Sequence, residues 1–215
     1  IIGIIVLYYI ATSSPKMYKI IFFLTVTAWG STEGLEWVNG TCPNWQDLPR
    51  YVPEGGLFYK YLYQQRSLNN YLFNEEGRCV TCYNAAEHGI LMSTYEQINK
   101  NNQTEMAIAA ADVEGDKDFP TTRIFKLKFM GKDEPEIDIP TMLVATDQEN
   151  YGVLYSCKSI LDRSLDINTN PRKMETVLVF TTKRGDTSFD EKIKSELADI
   201  GLDYDSFKAT DQSNC

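Results

Sequence analysis

Cysteine thiols and imidazole are the groups in this chain that could take part in covalent or metal chemistry. Its single histidine is His88. One histidine argues against a histidine-based metal site and against a histidine-dependent catalytic triad. The five cysteines are Cys42, Cys79, Cys82, Cys157 and Cys215. Because five is an odd number, disulfide pairing in an oxidising compartment would leave one thiol over.

The N-terminal region indicates such a compartment. Residues 17–30, MYKIIFFLTVTAWG, have the charged start, apolar centre and small-residue end of a secretory signal peptide, and we predict cleavage near Gly30. The apolar run is too short to span a membrane, so no stable membrane insertion is expected. Residues 1–16 are interpreted as an upstream segment outside the native protein; a longer anchor is disfavoured because TSSPK interrupts the apolar runs. Residues 31–215 then form one secreted, extracellular domain.

Charge and glycosylation motifs constrain the partners. The chain has 30 acidic and 21 basic residues and a net charge of −9, which argues against a nucleic-acid-binding surface. Asn39 and Asn102 each begin an Asn-x-Thr sequon and are candidate glycosylation sites. The composition leaves the oligomeric state open.

Short strands are the elements that must position these groups. After Cys42 the sequence divides into segments rich in β-forming residues, separated by turn-forming residues. The eight predicted strands are 56–64, 78–83, 89–98, 104–113, 122–130, 141–145, 151–157 and 175–180. Eight consecutive strands predict an all-β, antiparallel up-and-down meander, which can close into a barrel that holds one small ligand. The pattern leaves a β-sandwich open as the alternative.

One helix is predicted over residues 188–201. Ser188 and Glu191 have the spacing of a capping box, and Gly201 is a typical helix stop. Ile193, Leu197 and Ile200 form one apolar stripe. We expect this helix to pack against the outside of the barrel.

Three short patterns lie near strand ends. Gly56-Leu57-Phe58-Tyr59 opens the first predicted strand, and Thr146-Asp147 stands four residues before Tyr151 at the start of another. Arg184 follows the last strand, seven residues before Glu191, with Lys183 as the alternative cation. Thr146 and Asp147 are residue types that hydrogen-bond local backbone in a tight turn.

Over residues 40–215 these patterns resemble the lipocalins, particularly the arthropod bilin- and carotenoid-binding members and apolipoprotein D. The family motif Gly-x-Trp-Tyr is matched with Phe58 in place of tryptophan, and Thr-Asp-x-x-x-Tyr is matched fully. The resemblance implies that Arg184 closes over Phe58 at one end of the barrel, a cation–aromatic contact that supplies roughly 0.5–2 kcal/mol. It also implies the disulfides Cys42–Cys157 and Cys79–Cys215.

Cys82 is then the unpaired cysteine. If Cys79 points outward to meet the C-terminal tail, strand alternation turns Cys82 inward together with Val80 and Asn84, provided that no β-bulge intervenes. One interpretation is a small buried apolar residue. The other is a cavity thiol that reacts with a ligand, as in lipocalin-type prostaglandin D synthase, the enzymatic case of the family; no activating environment is visible in the sequence.

The first strand supplies the remaining candidate ligand contacts. Phe58 is placed inward by the resemblance, and alternation then turns Lys60 and Leu62 inward, where Lys60 could meet an acidic group such as a bilin propionate. A lysine at the barrel mouth that reaches water is the alternative. Tyr59, Tyr61 and Tyr63 share the other face of this strand, where tyrosines could equally line a cavity or form outer packing. Leu154 completes the candidate lining.

The expected function is binding of a small hydrophobic ligand in the barrel cavity, with biliverdin or a carotenoid as the bound chromophore and with no metal. The choice of a pigment rests on the resemblance alone. Two alternatives remain: an enzyme that uses the Cys82 thiol on a lipophilic substrate, and a secreted lipocalin that acts mainly through protein partners.

Overall fold

The computed structural model describes residues 38–49, 51, 57–69, 73, 77–87, 90–112, 122–129, 137–160 and 171–215. The upstream segment, the signal peptide, Gly56, His88 and the side chain of Phe58 lie outside the described part. Within that part, no helix combines the length and the apolar character required to cross a bilayer.

Ten antiparallel strands form one sheet in the described chain. They are β1 Val38–Asn39, β2 Tyr61–Leu68, β3 Arg78–Glu87, β4 Ile90–Ile98, β5 Thr104–Asp112, β6 Thr122–Phe129, β7 Ile137–Thr146, β8 Tyr151–Ile160, β9 Arg172–Thr181 and β10 Lys208–Ala209. The eight long strands, β2 to β9, neighbour one another in chain order. β9 also pairs with β2, with Gln64 opposite Phe180 and Leu68 opposite Val177, and this pairing closes the sheet into a barrel. The predicted fold class is thereby confirmed.

The predicted strand 56–64 corresponds to β2, which differs most from its prediction. It begins at Tyr61, because residues Leu57–Tyr59 form a 3-10 turn in which the Lys60 backbone amide donates to the Leu57 carbonyl at 3.3 Å. It also continues to Leu68, beyond the predicted end at residue 64. A turn in place of a strand breaks the alternation of side chains between Phe58 and Leu62.

Alternation along the strands divides the buried residues into an inner and an outer cluster. On β4, Leu91, Ser93 and Tyr95 are buried, whereas Ile90 and Met92 are exposed. The inner cluster fills the barrel and includes Phe180 and three alanines of β5. The outer cluster lies over β7, β8 and β9. The described interior is therefore a packed apolar core.

The C-terminal helix, α1, spans Asp190–Ala198 and packs on β7. Ile193 and Leu197 are fully buried in the outer cluster and Ile200 packs against it, as the apolar stripe predicted. Gly201 ends the helix at a φ of +77°. The predicted capping box is not formed: the residue before the helix is Phe189, with no side-chain cap, and the Ser188 hydroxyl donates to Asp186 instead at 2.6 Å.

Two disulfides tie the terminal segments to the barrel. Cys42 is bonded to Cys157 on β8, and Cys79 on β3 is bonded to Cys215. These are the pairs that the resemblance implied. The second bond closes a loop of 136 residues, which on the entropic account stabilises the fold by roughly 4–5 kcal/mol.

The C-terminal tail also closes a gap in the barrel wall. β2 pairs with β3 only from Tyr61 to Tyr63, and farther along it pairs with β10 of the tail. Where the two strands separate, the Gln212 amide nitrogen donates to the carbonyls of Gln64 and Val80, at 2.8 Å each. The tail therefore supplies hydrogen-bond donors that the β2–β3 ladder lacks at this point.

The turn between β7 and β8 is held by the two side chains expected there. The Thr146 hydroxyl donates to the Tyr151 carbonyl at 2.7 Å and accepts from the Gln148 amide at 2.9 Å. One Asp147 carboxylate oxygen accepts from the backbone amides of Glu149, Asn150 and Tyr151 at 3.0, 2.7 and 3.3 Å, and the other from the Asn150 side chain at 2.8 Å. Partial burial by itself would raise the pKa of Asp147, but these hydrogen bonds hold it below the ordinary value.

We expect Asp147→Ala to lower the free energy of unfolding at neutral pH by about 1–3 kcal/mol, because it leaves several backbone donors without their acceptor. A lowered carboxyl pKa stabilises the fold above the unfolded value of about 3.9, and this stabilisation is lost as the pH falls through the folded value. The difference between variant and wild type should therefore shrink in acid. Urea unfolding at several pH values measures it, with the neighbouring, exposed Glu149→Ala as control. Equal effects of both substitutions would contradict this role of Asp147.

Candidate functional site

A small pocket lies inside the barrel, between the 3-10 turn and β2, β3, β4, β7, β8 and β9. Its lining residues are Leu57, Leu62, Cys82, Asn84, Ser93, Leu143, Gly152, Leu154 and Phe180. The cavity has a volume of about 20 Å³. Such a space is sufficient for about one water molecule. Among the described residues, the side chains of the inner cluster pack around this cavity.

A single polar group interrupts the apolar lining. Asn84 and Ser93 face each other across β3 and β4, and the Ser93 hydroxyl donates to Asn84 Oδ1 at 2.6 Å. The Cys82 thiol lies 3.5 Å from the same oxygen. Asn84 is only 5% exposed and Ser93 2%. Because Oδ1 already accepts from its neighbours, Nδ2 is the remaining hydrogen-bonding group of this side chain and is a donor.

Cys82 has no activating environment. It is the free cysteine of the described chain, and it is 1% exposed. Burial raises the pKa of its thiol to about 12, an effect that a hydrogen bond with the Tyr95 side chain lowers only in part. The nucleophilic form of cysteine is the thiolate, so this thiol is protonated and weakly reactive at neutral pH.

Four of the predicted contact residues line the pocket: Leu62, Cys82, Asn84 and Leu154. Val80 is buried in the same inner cluster but does not line the cavity. The bulge that would have upset this arrangement does occur, between Arg78 and Thr81, where Cys79 has a φ of +59°. The bulge includes Cys79 and Val80, so the count of alternating residues from Cys79 does not hold across it. Val80, Cys82 and Asn84 are nevertheless buried, and Tyr83 between them is exposed.

Lys60 lies outside the pocket, contrary to the expectation of an inward lysine. Its side chain is exposed, and its ammonium donates to the backbone carbonyl of Glu149 at 3.2 Å. Lys60 precedes β2, so the alternation of side chains along that strand does not determine where the Lys60 side chain points. On the following strand Tyr61 is 60% exposed and Tyr63 is half-buried, so this tyrosine face is the outer one.

Arg184 makes contacts other than the one that the resemblance implied. Its guanidinium lies 4.6 Å from the centroid of the Tyr63 ring and donates to Gln212 Oε1 at 2.9 Å. The predicted partner side chain, that of Phe58, is outside the described residues. Arg184 thus braces the same Gln212 amide that joins β2 to β3.

Five residues that line the pocket were not predicted from the sequence: Leu57, Ser93, Leu143, Gly152 and Phe180. Two of them had a usable signal. Ser93 belongs to a strand whose alternate residues are apolar, and Gly152 is a glycine inside a strand, which often marks a close approach. A Cβ atom on Gly152 would lie 3.0 Å from Leu57 Cδ2, so the glycine makes room for that side chain.

Both candidate glycosylation sites lie on the surface. Asn39 and Asn102, the two sequon asparagines, are both exposed. Among the residues that the structure describes, no cluster of His, Cys, Asp or Glu side chains could hold a metal ion.

Solved structures with the same fold are known, although the sequence matches no family model and no curated protein. Insecticyanin from the tobacco hornworm Manduca sexta is similar with a TM-score of 0.62 and 15% identity, over 84% of this chain and 91% of that chain. H1 crustacyanin from the lobster Homarus americanus gives 0.61 and 18%, over 83% and 91%. The tryptamine complex of the amine binding protein of Rhodnius prolixus gives 0.57 and 14%, over 79% and 86%. The chain therefore has the lipocalin fold.

The Cys82 thiol should be inert in the folded protein. We expect alkylation with iodoacetamide at mildly alkaline pH to be at least about 100-fold slower than in the unfolded chain, because the thiol is both buried and protonated. Mass spectrometry of the modified peptide measures the rate, with Cys82→Ala as the blank. Native labelling at the rate of an unfolded thiol would contradict the buried, unreactive assignment.

Proposed function

We propose that this chain is a secreted binding protein that holds one small, neutral, hydrophobic ligand inside its barrel, with a carotenoid favoured over a bilin. The observation that carries the proposal is the character of the pocket: apolar side chains surround one uncharged polar group formed by Asn84, Ser93 and Cys82. Sites for small molecules typically have this composition, with a few polar groups that orient the ligand. The resemblance to pigment-binding lipocalins supports the choice of a pigment.

The described lining supports a neutral ligand. None of the lining residues carries a charge at neutral pH, and transfer of an unpaired charge into an apolar interior is costly. A bilin would bring propionates, and Lys60, the cation expected to meet them, lies outside the pocket. An amine such as the tryptamine bound by the Rhodnius prolixus protein would call for a carboxylate or another strong acceptor. A polyene with a carbonyl or hydroxyl at its end makes neither demand.

The size of the pocket requires movement of side chains. A ligand of this class needs a site of several hundred Å³, whereas the cavity is about 20 Å³. Leu57 is the best candidate to move, because it enters the barrel from a 3-10 turn of three residues rather than from a hydrogen-bonded strand. Its side chain contacts the space above Gly152, at the pocket wall. Displacement of Leu57 would enlarge the cavity and leave the sheet hydrogen bonds in place.

Two disulfides support the proposal that the chain is secreted, since such bonds persist in oxidising compartments. They also hold both terminal segments against the barrel wall, so that the interior could change its contents while the wall keeps its shape. The alternative of a thiol-dependent enzyme lacks support. Among the residues described, Cys82 is the only free thiol near the pocket, and it is buried and protonated.

Titration with a keto-carotenoid should give a saturable shift in visible absorbance and quench aromatic fluorescence, whereas biliverdin should bind much more weakly. Asn84→Leu should weaken carotenoid binding about tenfold, equivalent to about 1.4 kcal/mol, by removal of the one side-chain amide in the pocket. Asn101→Leu, the same change in an exposed turn, is the control. No saturable response to either pigment would refute the pigment proposal.

A second variant tests the role of Leu57. Leu57→Ala should lower the free energy of unfolding of the empty protein by about 2–5 kcal/mol and should strengthen ligand binding, because it opens the pocket in advance. Thermal unfolding with and without carotenoid measures both effects. Leu197→Ala on α1 is the matched control, since it removes an equally buried leucine from the outer cluster. If both variants change the affinity alike, Leu57 does not occupy the ligand site.

A further inference from the structure

The two disulfides differ in how easily a reductant in solution can reach them. Cys215 is an exposed residue of the C-terminal tail, and its partner Cys79 is 7% exposed. In the other bond Cys157 is 1% exposed and Cys42 is half-buried. Thiol–disulfide exchange requires that an attacking thiolate reach one of the two sulfur atoms. A reductant therefore meets the Cys79–Cys215 bond first, at the sulfur of Cys215.

A guanidinium lies beside the other sulfur of this bond. Arg78 Nη1 donates to Cys79 Sγ at 3.3 Å and to the Asn214 carbonyl at 2.9 Å. A positive charge next to a sulfur favours its thiolate form, and a sulfur that is more stable as a thiolate leaves faster in the exchange. Attack at Cys215 is therefore assisted by Arg78 at the sulfur that leaves.

Polar contacts, rather than buried side chains, hold the C-terminal tail on the barrel. All residues of the tail, 208–215, are described, and none of them is buried. The Thr210 amide donates to the Gln65 carbonyl at 2.9 Å, and the Cys79 amide donates to the Asp211 carbonyl at 2.8 Å. In water the net contribution of such a hydrogen bond is comparable to the conformational entropy lost when one residue is ordered. Attachment of the tail therefore depends on the disulfide.

The tail covers the gap where β2 and β3 separate. Gln64 and Val80, each 1% exposed, flank this gap, and the Gln212 amide bridges their carbonyls. Gln64 Nε2 donates to Thr210 Oγ1 at 2.8 Å, whereas Gln64 Oε1 is buried and has no hydrogen-bond partner among the residues that the structure describes. Departure of the tail would expose this amide to water, and hydration of Oε1 would lower the free-energy cost of opening.

We propose that the Cys79–Cys215 disulfide is a redox switch: its reduction by a dithiol releases the tail and opens the barrel wall between β2 and β3. A thiolate of the dithiol attacks Cys215 Sγ, forms a mixed disulfide and expels the Cys79 thiolate. The second sulfur of the dithiol then attacks the first and expels the Cys215 thiolate. The dithiol becomes a disulfide, and its two electrons and two protons pass to the two cysteines. The Cys42–Cys157 bond stays intact and keeps the N-terminal segment on β8.

The opening would connect solvent with the interior beside Cys82. This thiol follows Val80 by two residues, and both side chains belong to the inner cluster. A ligand held in the barrel would leave faster through the opening, a consequence that rests on the proposed function. Reduction of the bond and labelling of Cys82 involve no ligand, so failure of the switch and failure of the proposed function are separate results.

Brief treatment of the folded protein with dithiothreitol compares the two bonds in one molecule. We expect the Cys79–Cys215 bond to be reduced at least about tenfold faster than the Cys42–Cys157 bond, because its outer sulfur is accessible. Alkylation after an acid quench, followed by peptide mapping, measures both rates. Near-ultraviolet circular dichroism should remain that of the native barrel. Equal rates for the two bonds would overturn the proposal, as would loss of the native spectrum when only the Cys79–Cys215 bond is reduced.

Labelling of Cys82 tests the opening of the wall. In Cys79→Ser/Cys215→Ser, iodoacetamide should alkylate Cys82 at least about tenfold faster than in wild type, because the tail can leave the gap. Cys42→Ser/Cys157→Ser is the matched control, since it removes a bond that closes a loop of 115 residues, similar to the 136 of the first. Cys82 should stay slow to react in this control.

Low concentrations of urea separate opening of the gap from unfolding of the whole barrel. Local opening exposes little surface, so the labelling rate of Cys82 in Cys79→Ser/Cys215→Ser should hardly change below the unfolding transition. A rate that rises steeply with urea would overturn the proposal, because Cys82 would then be reached by global unfolding. Equal acceleration in both double variants, or no acceleration in either, would overturn it as well.

Discussion

The pairing of β2 with β9 is the constraint on which the rest of the structure depends. It joins residues more than 100 positions apart and closes the meander into a barrel. The side chain of each strand residue therefore points either into the barrel or away from it. The pocket, the outer cluster under α1 and the bare tyrosine face all follow from that division. Closure also removes the exposed edges that an open sheet of these strands would present.

The wall is strengthened where the ring is weakest. β2 and β3 share a short ladder, and at its end the Gln212 amide bridges two carbonyls while the Cys79–Cys215 bond anchors the tail. Arg184 contacts both Tyr63 and Gln212, which connects the end of β9 to the same point. These polar contacts lie outside the apolar interior, so ligand entry need not disturb them.

Stability and binding place opposite demands on the interior. In the ligand-free barrel, close packing of the inner cluster stabilises the fold. This packing includes the contact of Leu57 with Gly152 and three alanines on β5. A bound lipophile would have to replace those contacts with its own. The buried oxygen of Asn84 is hydrogen-bonded within the core by Ser93 and Cys82. Under the proposed function, the amide nitrogen beside the cavity would donate to a polar atom of the ligand.

The sequence by itself determined the strands, the helix stripe and the turn at Thr146 and Asp147, because these depend on alternation and on hydrogen bonds between near neighbours. Val80, Cys82 and Asn84 are buried as expected, although the bulge between Arg78 and Thr81 breaks the alternation from Cys79 on which that expectation was based. The tertiary structure alone decided the rest. Leu57 enters the pocket and Lys60 does not, because the chain makes a 3-10 turn before it joins β2. The capping box is replaced by a local contact between Ser188 and Asp186, two residues apart, which competes with the cap. Arg184 packs on Tyr63, because β2 and the end of β9 are brought together by barrel closure. Local patterns carry no information about which distant segment will pack there.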